Sequence, residues 1–188
     1  MEVEVKAEAN NRTLTNLAAL TVVVLSVFMA VAKIKDDNIV QAMQQAKTDE
    51  VDTWLEYDTT KTRVSLAETK ISLFKVQEAT SGANDVLKAE RATAEADIAK
   101  LSARSDELFK KAREFKPTID KLGFRDDQFD MADAFLSIAI AVAAVAVLVE
   151  LWPVLIFAWV SSVAGIIMVL AGFLGWNIHP DWLVTLLT

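Results

Sequence analysis

The chain has 188 residues, short enough for one domain as a prior, and 19 basic residues against 26 acidic ones give a formal charge of −7. That balance argues against a nucleic-acid surface, which needs clustered Lys and Arg. There is no cysteine, so a disulfide framework, a thiolate metal site and a thiol nucleophile are excluded, while the compartment stays open.

Charge is distributed unevenly. Apart from Lys6 and Arg12, every Lys and Arg falls between Lys33 and Arg125. Residues 1–13 form a short charged tail, expected to be poorly ordered unless a neighbour holds it. Residues 14–32 follow, ending in TVVVLSVFMAVA, close to the roughly 20 apolar residues that cross a bilayer. Ala30-Val31-Ala32 matches a signal-cleavage pattern. The helical pattern nevertheless continues through Lys33-Ile34-Lys35 without a small-residue loop, so a retained anchor is expected.

Residues 33–130 read as a long helical hairpin. Lys33 to Thr80 contains neither Gly nor Pro, and the first breaker cluster, Ser81-Gly82-Ala83-Asn84, sets the tip at 81–84. The outgoing arm carries two apolar stripes at helical spacing: Trp54, Tyr57, Val64, Ala67, Ile71 and Phe74, and then Leu55, Thr62, Leu66, Leu73 and Val76. A returning arm covers one stripe, so the second points to another subunit. The return arm has a single seam, Leu87, Ala94, Ile98, Leu101, Leu108, Ala112 and Phe115, in steps near 3.5 residues. Pro117 lacks an N–H and clashes with the preceding turn; with Gly123 it predicts an elbow over 117–123.

Two further apolar runs, 131–151 and 154–174, flank the short turn Glu150-Leu151-Trp152-Pro153 and are expected to lie side by side. Small residues on each, Ala139, Ala143 and Ala146 and then Ser161, Gly165 and Gly172, suit close helix contact in lipid. Residues 175–188, with His179 and Pro180, read as an interfacial tail too short to span. The expected fold is therefore an all-α membrane protein: three transmembrane helices, with a long antiparallel, coiled-coil-like hairpin between the first and second. Positive charges flank the first span on both sides, so the side of the membrane holding the hairpin is left open.

The run FDMADAFLSIAIAVAAVAVL from Phe129, followed by a short turn and another span, resembles an uncharacterised bacterial membrane-protein family, domain of unknown function 4337. Asp52, Trp54 and Tyr57 match that family's Asp-x-Trp-x-x-Tyr signature, and Lys61 and Arg63 keep part of its following basic stretch. The resemblance implies one amino-terminal span, a helical middle, a closing pair of spans and a bacterial inner membrane. It implies no activity.

Candidate chemistry is sparse. Asp49, Asp52 and Glu56 share a helix face and are the candidate cation ligands; the ordinary reading is a solvated acidic face, because neighbouring carboxylates repel. Asp126, Asp127, Asp130 and Asp133 fall where the chain returns to apolar sequence, where acids commonly mark the water boundary and favour a helix amino terminus. Glu150 is the one acid between two apolar runs, an interface residue or an intramembrane one. Nucleophile-elbow and phosphate-loop motifs are missing, and the single His cannot build a triad. No enzyme and no cofactor are expected. The expected function is a self-associating scaffold or stalk in the bilayer, with Trp54, Leu55, Tyr57, Leu66, Leu73, Ser161, Gly165 and Gly172 at the contacts between copies. An accessory subunit of a larger membrane complex, or a channel or transporter component, is the alternative.

Overall fold

The computed structural model describes residues 12–82 and 84–178. The amino-terminal tail, Ala83 at the expected tip, and His179, Pro180 and Trp182 of the expected interfacial tail lie outside the described residues. The described residues form three helices and no strand: α1 (Arg12–Ser81), α2 (Asp85–Val149) and α3 (Trp152–Leu174).

The 70 residues of α1 contain no Gly or Pro. Its threonines would ordinarily weaken a helix, yet many turn their hydroxyls back onto it. Thr21 donates to the carbonyl of Leu17 at 2.8 Å, and Thr53 to that of Asp49 at 2.6 Å. The helix stops where expected. The Gly82 N–H bonds the Glu78 carbonyl at 3.1 Å, and Gly82 has φ +80, a conformation open to glycine without a Cβ penalty. Asn84 then caps α2, its Oδ1 accepting from the Leu87 N–H at 2.8 Å.

The chain does not leave the helix at 117–123: α2 continues through Pro117 and Gly123 to Val149. A proline removes one backbone bond and crowds one turn, and the long packed helix around it carries that local cost. The turn to α3 is abrupt. Glu150 takes φ 55, Leu151 is extended, and Pro153 sits in the first turn of α3, where its missing N–H costs no helical bond. Gly175, at φ 69, closes the other end.

The described chain packs as two compact units, residues 12–42 with 121–178, and Met43–Asp120. In Met43–Asp120 the least exposed positions of α1 recur in alternating steps of three and four: Ala46, Glu50, Thr53, Tyr57, Thr60, Val64, Ala67, Ile71, Phe74 and Glu78. On α2 the same rhythm runs through Leu87, Arg91, Ala94, Ile98, Leu101, Ser105, Leu108, Ala112 and Phe115. The expected seam is thus present, with Thr53, Thr60 and Ser105 filling buried positions that an apolar count skips. Glu56 and Arg104 pair at 2.9 Å, Lys70 and Glu90 at 3.1 Å.

In the other unit, three helices meet through small and apolar side chains. Leu25, Ala32 and Ile39 of α1, Phe129, Met131, Ala132, Leu136 and Ala139 of α2, and Met168 and Val169 of α3 make one cluster. Leu14, Ala18, Ala143, Ala146, Leu155 and Ala158 make a second. Hydrogen bonds cross between helices here. Trp159 Nε1 donates to Thr21 Oγ1 at 3.0 Å, and Ser161 Oγ donates to the Phe135 carbonyl at 2.8 Å. Outward positions such as Val23, Val27, Val31, Leu148, Val160 and Val163 are apolar and exposed.

Candidate functional site

The signature residues of the outgoing arm make an aromatic group rather than a polar one. Trp54 and Tyr57 stand one turn apart on α1 with ring centroids 5.5 Å apart, nearly perpendicular. Phe109 of α2 completes the group, its centroid 5.7 Å from each. Such edge-on contacts hold about 0.5–1.5 kcal/mol per pair beyond the area they bury. The Arg113 guanidinium lies 5.5 Å from the Phe109 centroid, a cation over the outer face of the group. Phe109 sits one place after Leu108 and so falls off the seam; only its approach to Trp54 and Tyr57 reveals its part.

Several residues expected at contacts between copies have their partners inside the chain. Trp54 and Tyr57 face Phe109, and Ser161 bonds the Phe135 carbonyl. A Cβ on Gly165 would stand 2.8 Å from a Leu136 side-chain carbon, and one on Gly172 would stand 2.7 Å from the Phe129 ring, so both glycines serve the packing of α3 on α2. Leu55, Leu66 and Leu73 differ: with Val76 they stay 62–70 % exposed on the outer face of α1.

The carboxylates proposed for a cation do not converge. Asp49 accepts from Gln45 Nε2 at 2.8 Å, Glu56 is held by Arg104, and Asp52 is exposed. Among the described residues no group of three or more His, Asp or Glu side chains is arranged to hold a metal ion. Glu150 occupies the α2–α3 turn, half-buried, in a left-handed conformation.

Acidic residues do gather elsewhere, around a residue that apolar patterning had passed over. Asp36 of α1 is 4 % exposed. Its Oδ2 receives Lys33 Nζ at 2.8 Å, while its Oδ1 is buried with no donor. Lys33 lies 3.8 Å from Asp37 as well, and the bond from Asp36 above all raises its pKa. Burial, then the charge of Asp130, then that of Asp36 push the Asp126 carboxyl up to about 6. Asp130 is raised by burial and then by Asp36, with Lys33 opposing. Counting back from Val64 in alternating steps of four and three reaches Asp36, so its helix face was readable from spacing while its loss of solvent was not.

An all-helical chain whose three helices are each long and apolar enough to cross a membrane is the class this architecture defines. Within that class the family is shown by its profile, which matches residues 14–175: the chain belongs to the family described as Domain of unknown function (DUF4337). No curated protein and no solved structure matches it.

Proposed function

We propose that this chain is a non-enzymatic scaffold of a bacterial inner membrane, crossing it at residues 14–32, 131–151 and 154–174. Residues between the first and second spans would leave the lipid as an antiparallel, coiled-coil-like hairpin that associates with further copies. Support for the spans comes from the apolar outward faces, since a water-facing bundle of this size would carry polar ones. Support for the hairpin comes from the order of its contacts: Trp54 meets Phe109, Glu56 meets Arg104 and Lys70 meets Glu90, so positions rise on α1 as they fall on α2.

The observation that carries self-association is the row Leu55, Leu66, Leu73 and Val76. It lies on the outer face of α1 while the seam between the helices is already filled. Leaving four such side chains in water forfeits on the order of 1.5–3 kcal/mol each, a driving force that contact between copies would recover.

Because the chain has no cysteine, Leu66→Cys supplies a single reporter. Oxidation in native membranes is expected to give a dimer of this chain, and Lys61→Cys on another face is expected to give far less. A disulfide-free Leu66→Cys chain that is monomeric by mass in mild detergent overturns the proposal. Recovery of the same chain in stoichiometric complex with a different protein would favour the accessory-subunit reading instead.

A further inference from the structure

Asp36 and Asp126 lie outside the three proposed spans, on α1 and α2 of the same compact unit. The Asp36 side chain is 5 % exposed, and one of its two oxygens is bonded. The other, Oδ1, is sealed from solvent without a donor. An ionised carboxylate with a bare buried oxygen is costly, because nothing replaces the water it gave up.

Among the described residues the charged groups tied to this cluster come from two helices. Lys33 and Asp37 come from α1, and Asp126, Asp127, Asp130 and Asp133 from α2. Neither α3 nor the chain from Gly175 to Ile178 contains an ionisable side chain. Lys33 already serves Asp36 through Oδ2. What faces the carboxylate otherwise is more carboxylate, and such a group donates a hydrogen bond only when protonated.

We propose that Asp36 and Asp126 form a proton-binding site, in which the protonated Asp126 carboxyl donates to Oδ1 of Asp36 and ties α2 to α1. One proton then satisfies the orphan oxygen and removes one of several adjacent negative charges. A bond of this kind, from a neutral carboxyl to a carboxylate, is among the stronger ones a protein makes. Asp126 is the acid whose side chain comes within hydrogen-bonding reach of Asp36, and its upward displacement has the direction that such a site requires.

The space argues for a proton rather than a hydrated cation. The cavity against Asp36, lined also by Lys33, Phe129 and Asp133, holds about 10 Å³, room for no more than about one water molecule.

The test uses the full chain in detergent micelles, with aspartate carrying carbon-13 at the side-chain carboxyl. The Asp126 resonance is assigned by its loss in Asp126→Asn. Its titration midpoint is expected near pH 6, and Asp36→Asn is expected to lower it, with burial and Asp130 still holding it above the ordinary aspartate value of about 4. If Asp36→Asn does not fold, Asp130→Asn replaces it; removing that neighbouring charge is expected to lower the midpoint as well. A wild-type midpoint already in the ordinary range overturns the proposal, as does a midpoint that stays put in a helical Asp36→Asn or Asp130→Asn chain. Magnesium shifting the Asp126 resonance at neutral pH would assign the site to a cation and overturn it equally.

Discussion

The side-chain amide of Gln128 donates to the main-chain carbonyl of Trp176 at 2.7 Å and also to that of Ile178 at 2.8 Å. Gln128 is fully buried, and it ties α2 to the segment leaving α3 after the Gly175 cap. Both carbonyls are free because the helix has ended, so a fixed amide does the work that a further helical turn would have done. Gln128→Leu keeps the volume and removes both donors. A loss of about 1–3 kcal/mol is expected in denaturant unfolding, with faster hydrogen exchange around Trp176.

Gly172 and Gly82 separate two uses of glycine. A Cβ at Gly172 meets the Phe129 ring at 2.7 Å, and that ring is itself held edge-on by Phe173 at 5.5 Å. Gly172→Ala therefore forces α3 away from α2, at a cost of about 1–3 kcal/mol. At Gly82 a Cβ would meet nothing, but φ is +80, so Gly82→Ala carries only the backbone penalty of about 1–2 kcal/mol. Thermal unfolding of the two variants is expected to rank them in that order, with near-ultraviolet dichroism changing only for Gly172→Ala.

Phe109 sets the aromatic group of the Met43–Asp120 unit. Phe109→Ala removes a partner from both Trp54 and Tyr57, and about 2–4 kcal/mol of stability is expected to go with it, below the cost at a fully buried site because the ring is 38 % exposed. Trp54 emission is expected to shift to the red. Arg104→Ala, which deletes an exposed ion pair with Glu56, is expected to change stability far less than Phe109→Ala does.

Stability is expected to depend on pH in a definite direction. With Asp126 raised by burial and by Asp130 and Asp36, the folded chain keeps a proton up to about pH 6, whereas the unfolded chain releases it near the ordinary value of 3.8. The folded state binds more protons across that window, so its contribution is complete below the lower value and disappears as pH rises through the upper one. Unfolding midpoints measured across the window are expected to fall with rising pH, and Asp126→Asn to reduce that slope, with Asp130 supplying the remainder.

Leu66→Gln tests the outer stripe. A residue 70 % exposed contributes little to the packing of its own chain, so the variant is expected to unfold within about 0.5 kcal/mol of wild type. Its mass in mild detergent is expected to drop to that of one chain, as measured by light scattering with the detergent subtracted.

The three helices, the stop at Ser81 and the seam from Leu87 to Phe115 were all readable from the residues alone, because they rest on near-neighbour physics. Helical period, a glycine able to take φ +80, and a missing breaker each declare themselves within a few positions. What needed the folded chain was decided at a distance. A proline's local cost is plain in the sequence, whereas the continuation of α2 as a helix through Pro117 is not. Thr53, Thr60 and Ser105 are buried and polar, so an apolar count missed them, and Gly165 and Gly172 turned out to face Leu136 and Phe129 of their own chain. Asp36 is the sharpest case. It is one charged residue in a charged stretch until two helices close around it, and only then does one carboxylate oxygen lose its water and face another acid. Short-range spacing determined where the chain is helical; long-range packing decided which side chains lose solvent, and with them where the unusual chemistry sits.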